Sequence, residues 1–476
     1  MLSPEQAHLL KTASQFDVHR WSDYPEVNSV VTHIFHEVAA LRRNRKERIR
    51  LANKVQRHLK VVILDLFAAH KLGLNPYRGI SLHKPDYQRE TRYRKIHLKY
   101  DYLAGVLNDL IELGYVEQHK GNQLLGMRTR IKATDKLLDL ILSDAFMIKP
   151  LIEKVGILAV VRRDLDDELI ILHGPEGELL DYEDTEETKR MRKNLGGLNK
   201  RLSSARIELD ISDDQHRELV ERFEQEDRIP IDFGHCTLHR VFNDPSFKLG
   251  GRFYGGWWEG LPSRFRKYIR INHKPTVELD YSGHHIRILS SREGIEAPAD
   301  LYAVENSSFS RKHLKLATLI VVNAGSRTSA LRALNDKKLG IDTKAILDFI
   351  EKHFAPISKH FYTFAGLELQ YQDSVVAERV MLRMMALGAV VLPIHDSFIV
   401  RNSYEDELWN VMLEEYERAF GSTTFLKRDQ TVLDPIESNE DPENRVPEFV
   451  SDDLDEILNF DNKTWYKQAF GIQGGG

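Results

Sequence analysis

The stretch "VELDYSGHHIRIL", residues 277–289, most constrains what this chain can fold into. Val277 and Leu279 alternate with charge as in a half-buried strand, and Ile286, Ile288 and Leu289 resume an apolar pattern on a following helix. Asp280 stands where that strand should stay apolar. A second stretch repeats the anomaly. "AVVLPIHDSFIV", residues 389–400, runs apolar from Val390 to Ile394, breaks at His395-Asp396-Ser397, and resumes from Phe398 to Val400. It reads as a β-hairpin with a carboxylate at its tip. A carboxylate buried alone loses hydration and is driven towards its neutral form. Two such groups relieve that cost if the fold brings them together around divalent cations. Magnesium takes carboxylate oxygens and keeps waters for substrate phosphates. Two ions about 3.5–4 Å apart serve phosphoryl transfer, one activating the attacking hydroxyl and one stabilising the leaving oxygen.

A third element lies between the two. "SRKHLKLATLIVVNAGSRTSALRAL", residues 310–334, is mostly helical, with Ser310 or Ser308 as its cap. Arg311 and Lys315 are four apart and project from one face, which suits a triphosphate. Asp300, in "APADLYAV", reads as a cap for the next helix. Met381, Met384 and Met385 recur at helical spacing and read as core, and Trp257 and Trp258 as packing residues. His284 and His285 diverge by about 100° on a helix, which argues against a shared zinc ion.

The rest of the chain suggests a setting for this chemistry. No run of about 18 apolar residues is present, so no membrane span is expected. The lone Cys236 excludes an internal disulfide and a cysteine-rich zinc site, and the first residues lack the layout of a secretory signal. The expected compartment is the cytoplasm. Net charge is −5, but residues 431–476 hold eleven acidic against three basic side chains, leaving the remaining residues mildly basic. That tail reads as mostly flexible, with "DDLDEILNF" as a handle for a protein partner. Residues 1–75 read as helical, with Arg42, Arg43, Arg45, Lys46, Arg48 and Arg50 close together. The following segment interleaves Arg89, Arg92, Arg94 and Lys95 with Tyr87, Tyr93 and Tyr100, the mixture that meets phosphates and bases. Leu103, Val106, Leu107 and Leu110 predict a helix stopped by Gly114, followed by two short strands. A helix before a basic hairpin resembles a winged helix, with Arg128, Arg130 and Lys132 on the wing and DNA as its ligand. "VGILAVVRR" and "ELIILHG" read as strands. "NLGGLNKRLSSARIEL" and "DDQHRELVERFEQE" read as helices.

In their order, the three chemical motifs resemble the polymerase core shared by A-family DNA polymerases and single-subunit phage-type RNA polymerases, over residues 240–421. "LDYSGHHIRIL" resembles the first palm motif, with Asp280 at the metal-binding aspartate and Arg287 at a shared basic position. "RKHLKLATLIVVNAG" resembles the fingers helix and "IHDSFIV" the last palm motif. "LGGRFYGGWW" is similar to the segment that contacts template or primer. The resemblance implies an α+β right hand, with an antiparallel palm sheet and helical fingers and thumb. Five regions are expected: a helical 1–75, a winged-helix-like 76–150, a thumb-like or linking 151–239, palm and fingers at 240–430, and the tail 431–476.

The resemblance also implies residue roles. Asp280, Asp396 and the carbonyl of Tyr281 would hold two Mg2+ ions. Lys315 would contact the triphosphate and protonate the leaving pyrophosphate, and Arg311 would hold the γ-phosphate end. His395 would steady the primer terminus and Arg252 would touch the nucleic-acid backbone or template. Asn323 and Ala324 stand where those families end the fingers helix in tyrosine-glycine. His285 stands where the DNA enzymes place a glutamate that blocks a ribose 2′-hydroxyl, and its bulk leans towards deoxynucleotides. The expected activity is template-directed nucleotidyl transfer onto a primer, with RNA polymerase or primase as the alternative. A decayed, non-catalytic DNA-binding factor and a two-metal nuclease are further alternatives. Arg311 and Lys315 count against both.

Overall fold

The computed structural model describes residues 3–47, 51–73, 75–88, 90–93, 98–121, 128–162, 168–174, 176–226, 228, 231–304 and 307–429. Arg48, Arg50, Arg89, Arg94, Lys95 and the acidic tail lie outside the described residues. Those within Met1–Glu168 and Leu202–Thr237 form one compact unit, and those within Leu169–Arg201 and Leu238–Gly476 form a second.

The first unit is built on α1 (Pro4–Lys11), α2 (Pro25–Asn44), α3 (Ala52–Leu72), α4 (Tyr100–Glu112) and α5 (Asp135–Leu142). Most of α3 is buried, from Val55 through Phe67, and α2 and α4 both pack on it. Strands β1 (Ser14–Gln15), β2 (Arg78–Ile80), β3 (Val116–His119) and β4 (Thr129–Ala133) form a sheet in the order β1-β2-β4-β3. Gly114, at φ +76°, ends α4 in the left-handed conformation that glycine adopts at least cost, and the chain returns as β3 against β4. Part of the basic run serves this fold. Arg42 Nε and Arg45 Nη1 donate to the buried carboxylate of Asp109 at 2.7 and 3.1 Å.

Two readings from sequence need correction. "VGILAVVRR" contains a helical turn, Ile157–Val160, rather than a strand. Its unbroken apolar run has no period-2 alternation, and Val160 and Val161 are buried in the core of the first unit. "NLGGLNKRLSSARIEL" is helical only to Ser203, and Ile207–Leu209 is extended.

The second unit contains two sheets. Strands β5 (Ile170–Leu172), β6 (Cys236–Phe242) and β7 (Gly250–Gly256) lie in that order in one. The other has β8 (Ile269–Ile271), β9 (Lys274–Tyr281), β10 (Leu392–Ile394), β11 (Ser397–Arg401) and β12 (Leu426–Arg428). Its order is β10-β11-β9-β8, and β12 pairs with the end of β9. Helices α6 (His284–Arg292), α7 (Arg311–Asn323), α8 (Ala365–Ala386) and α9 (Glu405–Phe420) complete the elements that matter for the site. Alternation along β9 separates two faces. Val277, Leu279 and Tyr281 are buried, and the Tyr281 hydroxyl donates to the Met412 carbonyl of α9 at 2.7 Å. Glu278 and Asp280 share the opposite face. Among the described residues no helix is long and apolar enough to cross a membrane.

Candidate active site

The end of β9 meets the tip of the β10–β11 hairpin. Asp280 lies opposite Ser397 in the antiparallel register, and the Tyr281 N–H donates to the Asp396 carbonyl at 3.3 Å. Two aspartates far apart in sequence thus meet where a strand end faces a hairpin tip. Burial pushes the Asp280 carboxyl well above the ordinary carboxylate range, and the nearby Asp396 and Glu278 push it further. Lys315 acts in the opposite direction, so α7 brings a cation into the field of this pair. Asp280, His285, His395 and Asp396 each keep a partly exposed edge, so the site is open to solvent.

The hairpin tip is a two-residue turn, with Ile394 paired to Ser397. His395 occupies its first position at φ +57°, where a type II′ turn normally takes glycine. A side chain there costs about 1–3 kcal/mol and persists only where its surroundings fix it. Here the ring meets Tyr254 edge-on at 5.5 Å between centroids. Burial, then Arg252 and Arg266, hold the His395 imidazole well below its usual range, so it is neutral.

Arg252 on β7 is almost fully buried. Its Nε donates to Asp373 Oδ2 on α8 at 2.9 Å, and its Nη2 lies 3.3 Å from His285 Nε2. A guanidinium can only donate, so this nitrogen of His285 is the acceptor and the ring proton sits on Nδ1. Burial and Arg252 keep His285 neutral. His284 is buried, stacks on Tyr281 at 4.6 Å and lies 3.6 Å from Asp373. Asp373 escaped the sequence reading, although it is a carboxylate on a mostly apolar helix, the same kind of signal that marked Asp280. Glu278 was overlooked as well. It accepts from Ser397 Oγ at 2.7 Å and from Arg266 Nη1 at 2.9 Å.

Ser310 caps α7, its hydroxyl accepting from the His313 N–H. Arg311 is exposed and forms a two-point pair with Asp300, at 3.0 and 3.2 Å. Asp300 caps no helix; its carboxylate accepts from the Tyr302 N–H in a turn. Arg287 fixes that loop by donating to the carbonyls of Ser282, Ala297, Pro298 and Ala299. Asn323 is buried at the end of α7, donating to the Leu319 carbonyl, with its Oδ1 tight against Gly366. Trp257 and Trp258 are buried, as packing residues should be, and Trp258 Nε1 donates to the Pro393 carbonyl.

The cations picked out in the first unit are engaged locally. Arg130 is buried and its Nε donates to the Leu10 carbonyl at 2.7 Å. Arg128 donates to Gln15, Lys132 pairs with Glu117 at 3.1 Å, and Arg92 pairs with Glu168 at 3.3 Å. Of these, Arg128 is the exposed one.

Among the described residues no three His, Cys, Asp or Glu side chains cluster as a metal cage. Two carboxylates and a backbone carbonyl are nevertheless a donor set that magnesium accepts when substrate and water complete its shell. The forced proximity of Asp280 and Asp396 suits that charge. No family model and no curated protein matches this chain. Among solved structures it is similar to one described as the POL domain of Pol1 from M. smegmatis complex with DNA primer-template and dNTP. Identity is 12%, the TM-score is 0.28, and the match covers 89% of this chain and 68% of that chain. A likeness of this size assigns neither fold family nor activity.

Proposed function

We propose that this chain is a template-directed nucleotidyltransferase that adds nucleotides to a nucleic-acid 3′-end. The observation that carries the reading is the junction of Asp280, at the end of β9, with Asp396, at the tip of the adjacent β10–β11 hairpin, within the field of Lys315. In this reading the sheet of β8–β11 is the palm of a right hand and α7 belongs to its fingers. Asp280, Asp396 and the Tyr281 carbonyl would hold Mg2+, which supplies charge for activating a hydroxyl and for stabilising a leaving pyrophosphate.

The chain's own residues do the remaining work. The 3′-hydroxyl gives its proton to solvent, its oxygen bonds to the α-phosphorus, the bridge to the β-phosphate breaks, and pyrophosphate departs. Lys315 donates to the departing phosphate oxygen and gives it a proton. Arg311 exchanges Asp300 for the γ-phosphate, and the neutral His395, rigid at its turn, packs against the strand terminus. The Arg252–Asp373 pair holds His285 where its bulk meets the sugar 2′ position, which favours deoxynucleotides. In the first unit, α4 followed by the β3–β4 hairpin supports a winged-helix-like reading, with Arg128 as its outward cation.

The test offers four dNTPs or four NTPs on primed and unprimed DNA and RNA, with and without Mg2+. Magnesium-dependent extension with dNTPs preferred is the expected result. His285→Gly should shift the preference towards ribonucleotides by about tenfold or more, since the gate is steric rather than ionic. Absence of incorporation on every template would end the proposal.

A further inference from the structure

The last described strand, β12, is hydrogen-bonded to the strand that carries Asp280, and it brings in a residue that no motif announces. Leu279, Asp280 and Tyr281 pair with Arg428, Lys427 and Leu426. Residues directly opposite in an antiparallel pair project from the same face of the sheet. Lys427 therefore shares the face of Asp280 and Glu278. Arg428, on the other face, is tied to Glu405 at the start of α9 at 2.6 Å. Asp280 is thus flanked on one side by Ser397 and Asp396 and on the other by a lysine.

Lys427 is not a packing residue. Its side chain is 65% exposed, and its ammonium is held by Asp429 Oδ1 at 2.5 Å, two residues along the same strand edge. An exposed pair of this kind contributes little to stability and exchanges partners readily. Arg311 is arranged in the same way, exposed and paired with an exposed aspartate. Lys427 borders Asp280 through the strand register, and like Arg311 it can release a carboxylate to take a phosphate.

We infer that Lys427 is a substrate-binding residue of this site, taking a phosphate oxygen on the side of Asp280 remote from the hairpin tip. The inference rests on the nucleotidyltransferase reading. Its ligand is a phosphate of the substrate, either the triphosphate of the incoming nucleotide or a backbone phosphate of the nucleic-acid strand. The ammonium serves as a point charge and gives up no proton. Asp429 is the counter-ion that keeps it extended along the strand until substrate arrives.

Lys427→Met, Lys427→Arg and Asp429→Asn separate these sources and test the claim. Lys427 is exposed and Asp429 half-buried, and equal thermal midpoints would establish that the variants fold. Loss of one charge-assisted phosphate contact predicts about a tenfold weaker interaction in Lys427→Met, largely restored in Lys427→Arg. A raised KM for the nucleotide with unchanged strand affinity assigns the triphosphate. A raised Kd for primer-template, with a shallower salt dependence, assigns the strand. Asp429→Asn should move the same constant the opposite way, because it frees the lysine. Unchanged constants in Lys427→Met overturn the inference, as does a fall in kcat alone. So does a change of the same sign in Lys427→Met and Asp429→Asn, which marks a merely structural pair. Wild-type protein that incorporates nothing overturns the site reading and this inference together, whereas the other negative results overturn the inference alone.

Discussion

In the first unit Asp65 is fully buried beside two arginines, and in the second Asp280 is surrounded chiefly by other carboxylates. Asp65 lies 3.4 Å from Arg78 Nε and 3.7 Å from Arg20 Nε, and its Oδ2 accepts from the Asp17 N–H at 3.1 Å. Arg78 continues to Asp232 at 2.5 Å. Burial pushes the Asp65 carboxyl up, and the guanidinium groups offset enough of that to leave it at about 6, ionised at neutral pH. At Asp280 the neighbouring carboxylates add to the burial, and Lys315 offsets only part of it. A buried acid with its cations already in contact is a finished structural element. Asp280, partly exposed and facing other acids, has its charge offset only in part, which suits it to an exchangeable counter-charge.

Asp280→Asn separates the two kinds of cluster most sharply. Incorporation should fall on the order of a thousandfold or more, because the donor set loses a charge that no neighbour replaces. The thermal midpoint should stay or rise, since like-charge repulsion and desolvation are both relieved. A substantial fall in the midpoint would make Asp280 a structural acid like Asp65.

Asp65→Asn should do the reverse. Both Asp65 oxygens accept, Oδ1 from Arg78 Nε and Oδ2 from the Asp17 N–H, so an amide sets its NH2 against a donor and should cost the first unit about 1–3 kcal/mol, net of the buried charge it relieves. Denaturation followed by a probe confined to that unit would read this, because a chain of two units need not unfold in one step. Its pH dependence has a defined sign. The folded carboxyl titrates near 6 and the unfolded one near its ordinary value of 3.8, so the folded state binds the proton more tightly. The contribution of Asp65 is fully present below the unfolded value and is lost as pH rises to about 6. The variant should lack that slope, and a slope equal to that of wild type would remove Asp65 as its source.

The proposed site of the second unit could be picked out because acids in apolar runs are costly, so Asp280 and Asp396 stood out against their neighbours. Arg311 and Lys315 followed from helical spacing. The sequence could not announce the partners those residues take across the fold. Asp373 faces Arg252 from a helix, Asp300 holds Arg311 from a turn, and Lys427 reaches Asp280 only through strand register. None of these is a neighbour in sequence, and a lysine or aspartate near the surface is ordinary until its partner is known. The same blindness affected the first unit. Arg42 and Arg45 stood only as part of a basic run, yet Asp109 takes both, and Arg130 read as a wing residue although its guanidinium is bound to the Leu10 carbonyl. "VGILAVVRR" misled for a different reason, since an unbroken apolar run carries no period to choose strand over helix.

Magnesium itself supplies the mildest way to compare the two clusters. A ligand that binds only the folded state stabilises it by RT ln(1 + [L]/Kd), about 1.4 kcal/mol at ten times Kd. The second unit should gain that stability on titration with Mg2+, since loading places a cation between carboxylates that otherwise repel. The first unit should gain nothing, because Arg20 and Arg78 already occupy the positions a cation would take. Asp280→Asn should abolish the gain and Asp65→Asn should keep it. Unit-resolved unfolding with Mg2+ against a chelator measures both, with Na+ at equal ionic strength as the control for screening. Equal stabilisation of both units would mean that magnesium acts on surface charge in general, and the distinction between a finished and an open carboxylate cluster would collapse.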